Sequence, residues 1–230
     1  MFGTFVNTSA IIFGSLIGIL LKGRISKTWM DTIMQAIGLA ILLVGLVSAL
    51  KSSALLLIII SMAVGSLIGE IVKIEQWLEN LGAWIERKTS GSGKGTVAKG
   101  FVTASLVFCV GSMAIVGSLE SGLTGNHQTL FAKSILDGIA SLIFASTFGI
   151  GVLFSAIPVL LYQSMITIAA LWLQPFLTPD VVAQMSSVGG LLIIGIGINI
   201  LEIKKIRVAN MLPAIFIPLI WFIITGFAWF

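Results

Sequence analysis

The chain has 230 residues, of which 57% are hydrophobic and 10% charged, with a mean hydropathy of +1.13. Soluble domains carry roughly 25% charged residues, so this composition excludes a water-soluble globule. The net charge of +4 does not suggest a nucleic-acid partner, because Lys and Arg lie scattered at loop ends and form no basic face. Cys109 is the one cysteine, which excludes an intramolecular disulfide and any cysteine cluster for zinc or iron–sulfur.

Eight apolar runs follow one another: Phe5–Leu21, Trp29–Leu50, Ala54–Val72, Phe101–Leu119, Leu130–Phe148, Val152–Leu173, Val181–Leu201 and Val208–Phe230. A membrane helix needs about 20 apolar residues, so eight spans use the whole chain. The first run lacks a basic leader and a small-residue exit, and is read as a retained span. Gly149-Ile150-Gly151 alone separates the fifth run from the sixth, and the two could also form one long broken segment.

The loop charges set an orientation. Lys22, Arg24 and Lys27, then Lys73, Arg87, Lys88, Lys94 and Lys99, then Lys204, Lys205 and Arg207 all fall on one side of an eight-span arrangement, with Lys51 on the other. Positive charge accumulates in cytoplasmic loops, so both termini are expected outside. Seven spans would strand the last basic cluster outside.

Between the third and fourth runs lies KIEQWLENLGAWIERK. Ile74, Trp77, Leu78, Leu81, Trp84 and Ile85 recur at helical spacing, opposite Glu75, Glu79, Glu86 and Arg87. This predicts an amphipathic helix over Lys73–Lys88 on the cytoplasmic membrane surface, followed by a flexible linker, Thr89–Gly95.

A shift of 152 residues lays Gly38-Leu39-Ala40-Ile41 and Gly45 over Gly190-Leu191-Leu192-Ile193 and Gly197, and spans one to three over spans six to eight. Matched spans would then run in opposite directions, the form of an inverted repeat found in alternating-access transporters. The expected architecture is an all-α transmembrane bundle in a single domain: residues 1–72 as the first repeat, 73–100 as surface helix and linker, 101–150 as a central hairpin and 151–230 as the second repeat. The identical strings Gly14–Gly18 and Gly65–Gly69 (GSLIG) each set two glycines one turn apart, for close packing inside the bundle or for a dimer seam.

Ionisable groups inside a bilayer are expensive and mark candidate sites. Here they gather in the centre. Glu120 ends span four. Lys133 and Asp137 lie one turn apart on span five, where they can pair, with Ser134 and Ser141 on the same face and His127 in the outer loop. Asp137 lies about 10 Å beyond Leu130 along the helix. Asn7, Thr8, Ser9, Gln35, Gln163, Ser164, Asn199 and Asn210 are further polar residues within spans. Asn7 and Gln163 stand out because spans one and six would be symmetry mates. Pro158, Pro213 and Pro218, and the glycines at 149, 151, 189, 190, 195 and 197, are expected to break or loosen helices. The ion and solute pathway is expected to draw on Asn7, Glu120, Lys133, Ser134, Asp137, Ser141, Gln163 and Asn199. No catalytic constellation, metal-ligand set or nucleotide motif is visible, so neither an enzyme nor a cofactor is expected.

The stretch FCVGSMAIVGSLESGLTG, with LFAKSILDGIASLIFASTFGIGVLFSAIPVLLYQ and GGLLIIGIGINILEIKKIRVANMLPA, resembles the DUF554 family of bacterial membrane proteins over essentially the whole chain. The resemblance implies a multi-pass protein of the bacterial cytoplasmic membrane and carries over no site residues. The expected function is secondary transport or channelling of a small ion or polar solute, by a homodimer in the lipid bilayer. The competing reading is a membrane scaffold or regulator whose polar residues only pack helices.

Overall fold

A computed structural model describes residues 1–22, 27–89 and 95–226. Arg24, Lys94 and the linker residues 90–94 lie outside the described residues, as does the side chain of Lys27. The described chain is helical, without strands: α1 (Phe2–Leu21), α2 (Lys27–Ala49), α3 (Leu55–Val72), α4 (Ile74–Thr89), α5 (Thr96–Cys109), α6 (Ser112–Leu123), α7 (Gln128–Phe148), α8 (Gly151–Phe154), α9 (Ala156–Leu173), α10 (Pro179–Ile200), a 3-10 segment (Val208–Phe216) and α11 (Ile217–Thr225). Seven stretches among the described residues are long and apolar enough to cross a membrane. Their outward faces carry large apolar side chains, among them Ile71, Leu171 and Trp172. Water does not tolerate so wide an apolar belt on a monomer, whereas lipid does.

The chain divides into two compact units. One comprises Met1–Met30, Trp77–Cys109 and Met113–Leu171; the other comprises Asp31–Gln76, Val110–Ser112 and Trp172–Phe230.

In the first unit, α1 and α7 run parallel. Gly3 faces Leu130, Gly14 faces the carbonyl of Gly138, and Gly18 faces the carbonyl of Leu142. A Cβ at Gly14 or Gly18 would collide with those carbonyls, so the glycines are what allow the backbones to meet. The broken pair α5 and α6, bent by 57°, runs antiparallel along the full length of α7. Gly100 packs on Phe148, Phe108 on Phe144 with ring centroids 6.1 Å apart, and Gly117 on Leu130. Gly122 of α6 then meets the carbonyl of Thr167 on α9. The start of α1, the end of α6, the start of α7 and the end of α9 therefore share one end of this unit.

The predicted helix after span three forms as α4, but its apolar face is not given over to lipid. Leu78, Leu81 and Ile85 pack with Val97 and Phe101 of α5, while Trp77 and Trp84 stay outward. Glu86, expected on a solvated face, is buried and accepts the Gly95 N–H at 2.8 Å. It thereby satisfies an amide just ahead of α5, where the helix dipole favours negative charge.

In the second unit, α2 and α10 run antiparallel. Gly38 packs on Leu201, Gly45 on Gly190 and Ile194, and Gly197 on Leu42. The α10 glycines at 189, 190, 195 and 197 do not interrupt the helix, contrary to expectation. Gly190 and Gly197 instead admit α2, and Gly195 admits Val208. α3 packs antiparallel on the 3-10 segment, with Gly65 against Ala214 and Gly69 against the carbonyl of Asn210. Both GSLIG strings thus work inside the protomer. The last span begins as 3-10 helix through Pro213, whose ring and missing N–H disfavour α-helical bonding there, and becomes α-helix at Ile217.

Pro158 falls in the first turn of α9, directly after the interruption at Ser155 that divides the sixth span into α8 and α9, where its missing N–H cannot bond the carbonyl of Phe154. The fourth span, expected continuous over Phe101–Leu119, is broken at Val110-Gly111. Gly111 is the local cue, and a single glycine in an apolar run is too common to identify a break.

Candidate functional site

The first unit holds a charge pair at mid-depth. Asp137 is the tenth residue of the 21-residue α7, with Lys133 one turn before it. Their residue exposures are 7% and 5%. Lys133 Nζ donates to Asp137 Oδ2. The same oxygen accepts Asn7 Nδ2 of α1 at 3.1 Å, a bond that depends on the glycine contacts between α1 and α7. Neither Oδ1 of Asp137 nor Oδ1 of Asn7 has a hydrogen-bond partner among the described residues. An ammonium carries three N–H donors, and one of those on Lys133 is used.

Beside this pair lies the end of α5. Cys109, the last residue of α5, lies near Lys133 and Asp137, and Tyr162 of α9 lies near Cys109. Ending one helix and starting another leaves carbonyls on the first and amides on the second without intrahelical partners. The carbonyl end of α5 therefore lies beside the charge pair.

Further buried polar atoms lie on α6, α9 and α1. Gln163 is fully buried on α9, and neither atom of its amide has a partner among the described residues. Thr167 one turn later, Ser118 of α6 and Thr4 of α1 are buried with unpartnered hydroxyls. Because Gly122 meets Thr167 where α6 and α9 run parallel, Ser118 and Gln163 lie one turn inward at a common depth. Each unsatisfied buried group costs roughly 1–3 kcal/mol. A unit built only for stability would not gather several.

The other expected residues are placed differently. Ser134 and Ser141 are buried on α7 but return their hydroxyls to the carbonyls of Leu130 and Gly138, at 2.6 and 2.8 Å. Glu120 sits near the end of α6 and accepts Thr129 Oγ1 at 2.7 Å, close to the contact of His127 Nδ1 with Ser121 Oγ at 3.0 Å. Asn199 belongs to the second unit. Its amide closes the turn after α10 through the carbonyl and N–H of Ile206, at 2.8 and 2.7 Å. Sequence reasoning missed Ser118, Tyr162 and Thr167. Tyr162 directly precedes Gln163, and Ser118 lies one turn before Gly122, but neither fact shows where a hydroxyl points. Among the described residues, no three His, Cys, Asp or Glu side chains are grouped to hold a metal ion.

Apolar spans around a buried charge pair define a helical membrane protein. The chain belongs to the DUF554 family, described as "Protein of unknown function", whose family model matches residues 2–223. It is 36% identical to the "Uncharacterized membrane protein YdfK" of Bacillus subtilis (strain 168), over 99% of this chain and 98% of that protein. It is 34% identical to the "Uncharacterized protein YqgA" of Escherichia coli (strain K12), over 94% of each. No solved structure matches the chain.

Proposed function

We infer that the protein is a secondary transporter or channel for a small ion or polar solute in the bacterial cytoplasmic membrane. The observation that carries this reading is the Lys133–Asp137 pair, buried at mid-depth beside a broken helix. Charges at this depth are expensive and, in membrane proteins, usually line a polar pathway. Broken helices with exposed backbone dipoles are a recurring way to hold a solute there.

The packing supports eight crossings. The α5–α6 pair spans the whole length of α7 in the opposite direction, and α1 is parallel to α7, as an even number of connections between them requires. The unit boundaries support an inverted repeat. Exchanging spans one to three with six to eight, and four with five, maps each unit onto itself. It also exchanges the parallel contact α1/α7 with the parallel contact α9/α6, and leaves α2/α10 and α3/3-10 as self-matched antiparallel pairs. In the same reading, α4 lies at the cytoplasmic surface with Trp77 and Trp84 at headgroup depth, and both termini are outside. The protomer pairs as a homodimer through faces other than the two GSLIG strings, which native mass would test.

The deciding experiment is flux in proteoliposomes. Asp137→Asn should abolish ion or solute flux while the protein keeps its fold, because the amide preserves shape. If Asp137→Asn conducts like wild type and changes only thermal stability, the Asn7-bonded pair is a structural lock and the scaffold reading prevails.

A further inference from the structure

The charge pair offers more than burial. It offers two opposite, partly unused charges at one depth, beside the carbonyl end of α5. We propose that the first unit binds a zwitterionic solute of the amino-acid type, with the ligand's ammonium on Asp137 and its carboxylate on Lys133. This rests on the transport reading above and names its substrate class.

Charge balance carries the argument. Lys133 and Asp137 cancel one another within the bundle. A lone anion drawn to Lys133 would leave Asp137 unpaired in a low-dielectric site, and a lone cation on Asp137 would strand Lys133. Leaving one member of a buried pair without its partner weakens such a site by about 100-fold or more. A ligand that carries both charges exchanges one internal ion pair for two external ones, and the site stays neutral throughout.

The unused hydrogen-bonding capacity fits the same ligand. Asp137 directs Oδ2 to Lys133 and Asn7, which leaves Oδ1 for an ammonium. Asn7, itself fully buried, adds an acceptor beside it, because Oδ1 of its amide has no partner among the described residues while Nδ2 is held by Asp137. Lys133 has N–H groups to spare for a carboxylate. The carbonyl end of the 14-residue α5, at Cys109, complements an ammonium.

The test is a thermal-shift and equilibrium-binding panel on the purified full chain. It uses glycine, alanine, serine, glutamine and glycine betaine, each beside an amine and a carboxylic acid of similar size, with sodium chloride and glycerol as controls. At least one zwitterion should raise the melting temperature by a few degrees at saturation, with the single-charge analogues weaker by about 100-fold. The neutral double variant Lys133→Met with Asp137→Asn should remain folded and lose that binding. Asn7→Leu should weaken it by about tenfold, the loss of one hydrogen bond. Should an amine, an acid, sodium or glycerol bind as tightly as the zwitterions and lose binding in the double variant, the substrate class is overturned and the transport reading stands. Should no zwitterion bind through the pair, the class is likewise overturned. The transport reading is then decided separately, by whether Asp137→Asn alters flux in proteoliposomes.

Discussion

The carbonyl oxygen of Gly138 lies where a side chain on Gly14 would sit, one residue beyond Asp137. The approach of α1 to α7 and the bond from Asn7 to Asp137 are therefore one structural fact. The backbone contact fixes the depth at which the Asn7 amide arrives.

Gly14→Val should accordingly destabilise the protein by about 1–3 kcal/mol or more, and the loss should appear in the melting temperature of the detergent-solubilised monomer. Gly65→Val should behave alike, because Ala214 occupies the equivalent place in the second unit. Leu20→Ala, on an outward-facing position of α1, should have little effect. A change in dimer dissociation with no change in monomer stability would contradict the internal role of both GSLIG strings.

The charge pair predicts a non-additive cycle. Lys133→Met leaves Asp137 buried without its cation and should cost about 3–5 kcal/mol. Adding Asp137→Asn to it should recover much of that loss, since no net charge is then left inside. Urea or thermal denaturation of the two single variants and the double variant reads the coupling directly. A double variant less stable than Lys133→Met would refute the pairing.

Asn210 makes a second set of side-chain bonds. Its Nδ2 donates to Glu70 at the end of α3, and its Oδ1 accepts the Glu75 N–H at the start of α4, both at 2.7 Å. Asn210→Ala should lower stability by about 1–2 kcal/mol and speed hydrogen exchange at residues 74–76. Asn210→Asp should be worse, because it sets a carboxylate against Glu70, which Arg207 also pairs at 2.7 Å.

Topology is checked by thiol labelling in a Cys109→Ser background. Lys51→Cys and Asn126→Cys should react with an impermeant reagent in intact cells, and Lys204→Cys only after permeabilisation. Labelling of Lys204→Cys from outside would overturn the orientation.

The candidate site was partly legible in the sequence, because a charge in a long apolar run has few explanations. Lys133 and Asp137 at a four-residue spacing announced their pairing, and α7 delivers it. Asn7 could be suspected, but its partner is 130 positions away and depends on which helix α1 packs against. Nothing local to Ser118 or Thr167 distinguishes an inward hydroxyl from one bonded to its own helix, as those of Ser134 and Ser141 are.

The sequence by itself determined the helical membrane class, the approximate spans and the central location of the charges. These follow from hydrophobic run length and from the cost of charge in lipid, and both are properties of short segments. Tertiary structure decided the rest. It broke the fourth span at Val110-Gly111, turned the α4 apolar face toward α5, and assigned the α10 glycines to packing instead of bending. Each of these turns on which surface a helix meets. A glycine, a serine or an apolar stripe is compatible with several neighbours, and only the contact itself selects one.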